Sequence, residues 1–291
     1  MDENAKRSRL TSHDLDELIR RVDNLPTLPS VVAKVNELVE SPGSSAADIN
    51  HAIRQDLVLS ARILRLVNSP FYGFHRRIKS VAHAVVILGF STVRNVVLST
   101  FVLDSFAARD LPFGHREFWI HSLGTGAAAA TLARRMGLAE AEDAFVAGLL
   151  HDVGKVVLHQ YARDDFAVVA RAAAERDCLL YDAELDMLGT SHAEIGGRLL
   201  DAWQLPEDLV EAVRSHHVPG EAGGYRDLVA VVHVADILAR ALLVGNGGDA
   251  RIPRVNAEAW SRAGAPPEGI EAVLREIADE LRKAKAFMDM L

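Results

Sequence analysis

The chain holds a single cysteine, Cys178, in 291 residues. That excludes an intrachain disulfide and any metal site built on several thiolates, and it fits a reducing compartment. A metal bound here would need nitrogen and oxygen ligands. Positive charge is also in short supply: 32 Lys and Arg against 40 Asp and Glu leave a formal net charge of -8. Affinity for a phosphate backbone comes mainly from clustered Lys and Arg, so the balance argues against a general nucleic-acid binder. Aromatics are only 6% of the chain and alternating strand patterns are scarce, which counts against a sandwich or barrel. Long uncharged apolar runs are missing as well. The most apolar late stretch, Leu228 to Val244, is interrupted by His233, Asp236 and Arg240, which disfavours a membrane span. The first residues, MDENAKRSRLTSHDLDELIRR, are charged and lack the apolar stretch of an export signal. A cytoplasmic protein is expected.

What the chain does have is apolar content of 49%, enough for a substantial core. Its apolar residues recur at helical spacing, as in Leu15, Leu18, Ile19 and Val22, or Ile49, Ile53, Leu57 and Leu64, and alanine is abundant. The fold class expected is all-α. Punctuation falls at Pro26 to Pro29, Pro42-Gly43, Ser69 to Gly73, Leu111 to Gly114, Pro219 to Gly224, Gly245 to Pro253 and Gly264 to Pro267, all of them turn signals. The strongest lies at Leu111 to Gly114, after an apolar helix expected over about Val93 to Phe106. The expected division is an N-terminal extension (1–20), a main domain (21–245) with a first helical lobe (21–110) and a second lobe (111–245), then a linker and amphipathic helix (246–291). Ile270, Val273, Leu274, Ile277 and Leu281 share one side of that last helix, a face suited to docking or homodimerisation. No fixed-period repeat is present.

Five of the twelve histidines occupy positions that could converge: His121, His151, His192, His216 and His217. In AFVAGLLHDVGKVVL, an apolar helix is expected to deliver His151 and Asp152 side by side, with Lys155 one turn on. Imidazole is a neutral nitrogen ligand, and a carboxylate can bridge two cations and cancel part of their charge. Lys155 could then hold an anionic phosphate. Taken alone, the pair reads equally well as a surface dipeptide beside a solvated lysine. Asp236 interrupts VAVVHVADILA where leucine would pack as well, and a buried carboxylate needs a partner: a metal, or a core hydrogen bond from Arg240 or His233. His192 stands at a helix start marked by Ser191 and Glu194, a capping-box pattern that makes Glu194 a cap, and Gly196-Gly197 nearby suggests close backbone packing. His216-His217 precedes the Pro219 to Gly224 loop, and as a lone pair it could be a solvated helix end.

The order His121, His151-Asp152 within LLHDVGK, then Asp236 resembles the HD superfamily of metal-dependent phosphohydrolases, and the added His192 and His216-His217 resemble its HD-GYP branch. The resemblance implies a first divalent metal held by His121, His151, Asp152 and Asp236, and a second held by His192, His216 and His217 with Asp152 bridging. It also implies a phosphate contact for Lys155, and Glu117 falls where some of these enzymes place an extra carboxylate ligand, although a solvated helical glutamate is the favoured reading there. The pattern departs at HHVPGEAGGYR, where Val218 and Arg226 stand at the branch's glutamate and proline.

Upstream, Leu25-Pro26 with Leu28-Pro29, Asp56, Asn68-Ser69, Tyr72-Gly73, Ser80 and Leu88-Gly89 follow the order of the HDOD family, HD-related output domains of bacterial signalling, and the likeness runs from about Leu25 to Asp236. The Leu-Pro pairs and Asn68-Ser69-Pro70 are fold features, because proline restricts the residue before it. FYGFHRRIK, residues 71–79, interleaves aromatics with Arg76, Arg77 and Lys79 and could stack a base, although ordinary loop packing suits an acidic chain better. The resemblance implies a two-lobed all-α signal-transduction output module with one or two divalent ions (iron, manganese, zinc or nickel). Its partners would be signalling proteins or a nucleotide second messenger. The alternative is an active phosphodiesterase or phosphohydrolase acting on cyclic dinucleotides or related nucleotides, with Asp152 and Lys155 in its catalytic site.

Overall fold

A computed structural model describes residues 28–68, 77–106, 111–138, 141–249, 251–264 and 269–288. Among these the chain is helical without a strand, as its spacing requires. The first lobe contains α1 (Ser30–Glu40), α2 (Ala46–Arg54), α3 (Leu57–Val67), α4 (Val81–Leu88) and α5 (Phe90–Ser105). The second contains α6 (His115–Met136), α7 (Ala141–Leu150), α8 (Val153–Tyr161), α9 (Arg163–Arg176), α10 (Leu180–Leu188), α11 (His192–Ala202), α12 (Glu207–Ser215) and α13 (Arg226–Ala241). Two further helices follow, α14 (Ala257–Arg262) and α15 (Ile270–Met288). No described helix is long and apolar enough to cross a membrane. The Leu15 to Val22 pattern, Leu25-Pro26 and the aromatic-basic run through Arg76 lie outside the described residues.

Polar side chains of the first lobe, the signature residues Asp56, Asn68 and Ser80 among them, act on its backbone. Ser45 and Asp48 form a capping box on α2, Asp56 accepts from the Leu59 amide at the start of α3, and Ser80 accepts from the His83 amide at the start of α4. Each satisfies a donor that a helix end leaves orphaned. Asn68 goes further. Its amide nitrogen donates to the Leu64 and Ile78 carbonyls, and its oxygen accepts from the Ile78 amide at 2.7 Å, so one side chain staples the end of α3 to the entry of α4. Gly89, at φ 81°, supplies the left-handed turn from α4 into α5, which is why α5 starts at Phe90 and not at Val93.

The two lobes share one core, since Ile49, Ile53, Val96 and Val97 belong to the same buried cluster as Leu149, Leu150 and Val213. A buried ion pair crosses the seam. Arg94 of α5 donates to Asp143 of α7 at 2.9 Å, Asn95 donates to the same oxygen at 2.6 Å, and the two charged side chains are 6% and 5% exposed. The long helix α6 then forms the spine of the second lobe, packed by α7, α13 and α15. Val273 and Ile277 of α15 are buried with Ala128, Leu132 and Val231, so intrachain packing covers that part of the apolar face.

Removing Asp143 would leave buried Arg94 with only the exposed Glu40 carboxylate, 3.1 Å from Nη1, and Asn95 without its acceptor, so Asp143→Ala is expected to lower unfolding free energy by about 1–3 kcal/mol. Urea denaturation followed by circular dichroism measures it, and a loss within the range of an exposed pair would show that the seam does not depend on this contact.

Candidate metal centre

Five parts of the second lobe bring the histidines and aspartates together. His121 lies in the second turn of α6, and Asp236 lies on α13 beside it. His151 and Asp152 occupy the break between α7 and α8, and not one continuous helix as the sequence suggests. The break matters because neighbours on an unbroken helix diverge by about 100°. His192 opens α11. There the Ser191 hydroxyl accepts from the Glu194 amide, as expected of a cap, but the Glu194 carboxylate accepts from Arg198 instead of closing the box. His216 and His217 follow the last turn of α12. Small residues let α11 reach Asp152: a Cβ on Gly154 would collide with the His192 carbonyl and meet the Gly196 amide at 2.8 Å.

The distances define two overlapping groups. His121 Nε2 lies 3.0 Å from Asp236 Oδ1 and 3.8 Å from Asp152 Oδ2. His151 Nε2 lies 3.3 Å from Asp152 Oδ2 and 3.6 Å from Asp236 Oδ1. On the other side, Asp152 Oδ1 lies 3.1 Å from His192 Nε2 and 3.9 Å from His216 Nε2, and His217 Nε2 lies 3.0 Å from His192 Nε2. His121, His151 and Asp152 form one set of donors close enough to hold an ion, and Asp152, His192, His216 and His217 form another. Asp152 is the member common to both.

The donor chemistry fits divalent ions. Nδ1 of His151 faces the Gly148 carbonyl and Nδ1 of His216 the Val213 carbonyl, both at 2.7 Å. A carbonyl only accepts, so each Nδ1 carries a proton, and it is Nε2 that presents a bare lone pair when the ring is neutral. Those Nε2 atoms, with His121 Nε2 and Asp152 Oδ1, are buried without a hydrogen-bond partner; their close neighbours lack hydrogen-bond geometry. Buried orphans of this kind are uncommon unless something else satisfies them. Burial and the neighbouring imidazoles hold His216 and His217 well below the usual histidine range, and burial outweighs Asp236 in lowering His121. That is the neutral form that coordination requires. At His151, burial opposes the charge but Asp152 and Asp236 prevail and raise it to about 9, so a ligand role there entails loss of a proton.

Three contributors lay outside the sequence motif. Glu184 of α10 is fully buried and accepts from both the His192 amide, at 2.8 Å, and His192 Nδ1, at 2.6 Å; an outer carboxylate of this kind orients a ligating imidazole and raises its basicity. Arg240 donates from Nε to Asp236 Oδ1 at 2.8 Å and from Nη1 to Asp249 at 2.6 Å. Asp236 thus has the arginine partner as well as the place beside His121. No periodicity marks Glu184 or Asp249, because each acts across a helix boundary.

Two candidates sit differently from the resemblance. Glu117 stays outside the cluster, with a side chain 52% exposed and 3.8 Å from Arg116. Lys155 is fully buried, donating to Asp152 Oδ2 at 2.8 Å and to the Gly247 carbonyl at 2.7 Å, with Asp249 at 3.5 Å. Burial opposes its charge, but Asp152 and Asp249 raise its pKa. Residues 246–249, expected as the start of a linker, lie over the cluster, with Gly247 against His121 and Asp152 and Asp249 beside Lys155.

The chain matches the family model of the HDOD domain over residues 25–219. It is similar to an HDOD domain protein of unknown function from Geobacter sulfurreducens, at 29% identity, TM-score 0.78, and coverage of 94% of this chain and 96% of that one. A candidate phosphohydrolase from Shewanella amazonensis is 26% identical, with TM-score 0.73 and coverage of 92% and 97%. An uncharacterized protein of Treponema pallidum is 30% identical over 80% of this chain, which spans about half that relative's length, 45%.

Since α8 and α11 approach through Gly154, Gly154→Ala should push His192 away from Asp152 and cost about 1–3 kcal/mol of stability. Thermal unfolding tests this, and an unchanged midpoint would mean that the helices do not depend on the close approach.

Proposed function

The chain belongs to the HDOD domain family, and on that premise we propose that it is a signal-transduction output module with an HD-type divalent-metal centre, acting through protein or nucleotide binding. One observation carries this reading: a donor set rich in unsatisfied nitrogen and oxygen atoms is closed over by the chain itself. Lys155, the group a phosphoryl substrate would call on, is engaged by Asp152 and the Gly247 carbonyl. A closed centre can stabilise a conformation and report on a ligand, whereas turnover needs an open coordination position and a positioned substrate.

In this proposal His121, His151, Asp152 and Asp236 hold one ion, and His192, His216 and His217 hold a second through Asp152. Divalent ions here would supply charge compensation and Lewis acidity. The residues contribute the rest: Glu184 fixes the His192 ring, and the Gly148 and Val213 carbonyls fix the tautomers of His151 and His216. A second reading, a metal-dependent phosphodiesterase or phosphohydrolase of HD-GYP type, is favoured by the two donor groups sharing one carboxylate.

Metal analysis of the purified protein, combined with a hydrolysis screen across cyclic mono- and dinucleotides with added manganese or ferrous iron, separates the readings. Bound metal without turnover is the expected result, and metal-dependent hydrolysis would establish the enzyme instead. The double variant His151→Ala, Asp152→Ala should lose its metal while the first lobe stays helical, because that lobe is capped by its own side chains. Glu184→Ala should weaken metal binding by roughly 10–100-fold, with Glu184→Gln restoring part of it. Metal content unchanged in the double variant would refute the assignment.

A further inference from the structure

Asp249 occupies a place built for an anion. Its Oδ1 accepts from the Leu180 amide at 2.6 Å, at the first turn of α10, and its Oδ2 accepts from Arg240 Nη1 and lies 3.5 Å from Lys155 Nζ. Two cations and a helix N-terminus thus converge on one carboxylate, the combination that binds phosphate. The pocket has donor capacity to spare. Nη2 of the same Arg240 guanidinium, 7% exposed as a side chain, has no partner, and a carboxylate offers fewer oxygens than a phosphate would.

The carrier of Asp249 is a strap, Leu243–Asp249, stretched over the cluster. Asn246 donates its amide to the Glu117 carbonyl at 3.0 Å. Gly247 lies so close that a Cβ there would come 2.7 Å from His121 Cδ2 and 3.1 Å from Asp152 Oδ2. The strap bends at left-handed Leu243 (φ 55°), Gly245 (φ 61°) and Gly248 (φ 98°), and a leucine in that conformation is held at a cost. Leu243 is 87% exposed. On the same flank, a cavity of about 290 Å³ lined by Arg116, Leu243, Val244 and Leu281 gives the strap room to shift.

We propose that Asp249 is a built-in stand-in for a phosphate group, and that the strap Leu243–Asp249 is displaced when a phosphate-bearing ligand takes its place on Arg240, Lys155 and the Leu180 amide. This extends the output-module reading by naming the ligand class and the moving part. Charge favours the exchange once metal is present. Lys155 and Arg240 face Asp152, Asp236 and Asp249, and a divalent ion held by the cluster would add positive charge beside them and strengthen the call for a multiply charged anion. Ligand and strap compete for the same donors, so binding is coupled to opening.

The test uses the full chain, with inorganic phosphate as probe, in calorimetry and in hydrogen exchange of peptides covering 243–249, each with and without manganese. Phosphate should speed exchange of the strap in the native protein. Asp249→Asn, which keeps the shape and removes the charge, should bind phosphate about 10-fold more tightly, within the 5–150-fold range of ordinary coupling. Gly247→Ala, which leaves the pocket's charges alone and forces the strap off His121, should do the same. If Asp249 is only a cap for α10, Asp249→Asn will bind phosphate no better than the native protein and phosphate will leave strap exchange unchanged; either result overturns the proposal. Should both variants fail to fold, strap exchange in the native protein with and without phosphate decides alone. The arm without manganese keeps this outcome separate from that of the metal centre, since Arg240, Lys155 and the Leu180 amide need no metal.

Discussion

Asp152 has two oxygens and five claimants. His192 and His216 approach Oδ1, while His121, His151 and Lys155 approach Oδ2. A fully buried carboxylate is costly unless charge and hydrogen bonds compensate it. Burial alone would raise its pKa, yet His151 and Lys155 hold it well below the usual carboxylate range. Much of the second lobe can be read as the supply of that compensation. α6 and α13 bring His121 and Asp236, α11 brings His192, the end of α12 brings His216 and His217, and the break before α8 turns the carboxylate toward all of them.

The same constraint explains where the packing is tightest. Gly154 and Gly196 allow backbone to approach backbone where α8 crosses α11, since a longer separation would leave His192 unable to reach Oδ1. A chain of positioning contacts stands behind the nitrogen donors. Glu184 fixes His192, and His233 donates from Nδ1 to the His216 carbonyl while its Nε2 accepts from the Asn256 amide. The centre is therefore held by residues that would never touch an ion. The first lobe shares the core, and among the described residues it places none in either donor group; Arg94, Asn95 and Asp143 clamp it to α7, the helix that leads into His151.

The strap relates closure to ligand class. The Gly247 carbonyl accepts from Lys155 and Asp249 accepts from Nη1 of Arg240, so the strap occupies the positive side of a pocket to which a metal would add further positive charge. A centre closed by its own chain is what the proposed output role calls for, in which binding changes a shape and the shape is read elsewhere. The cavity outside Leu243 and the left-handed turns at each end of the strap are where such a change would be taken up.

The sequence by itself determined the all-α class, through apolar spacing; that Asp56 and Ser80 are helix caps was seen only in the structure, although each acts on an amide three residues away. It also determined which residue types could ligate: one cysteine left only nitrogen and oxygen, and His151-Asp152 within LLHDVGK is a local pattern with chemical meaning. Tertiary structure decided what depends on distance across the chain. Glu184 reaches His192 from another helix, Asp249 reaches back 94 residues from its own position to Lys155, and Glu117 turns outward although one helical turn from His121. Local pattern records how a residue serves its own helix. Which buried charge needs which distant partner is settled only when the helices pack, since the cost of leaving a charge unpaired exists only once water has been excluded.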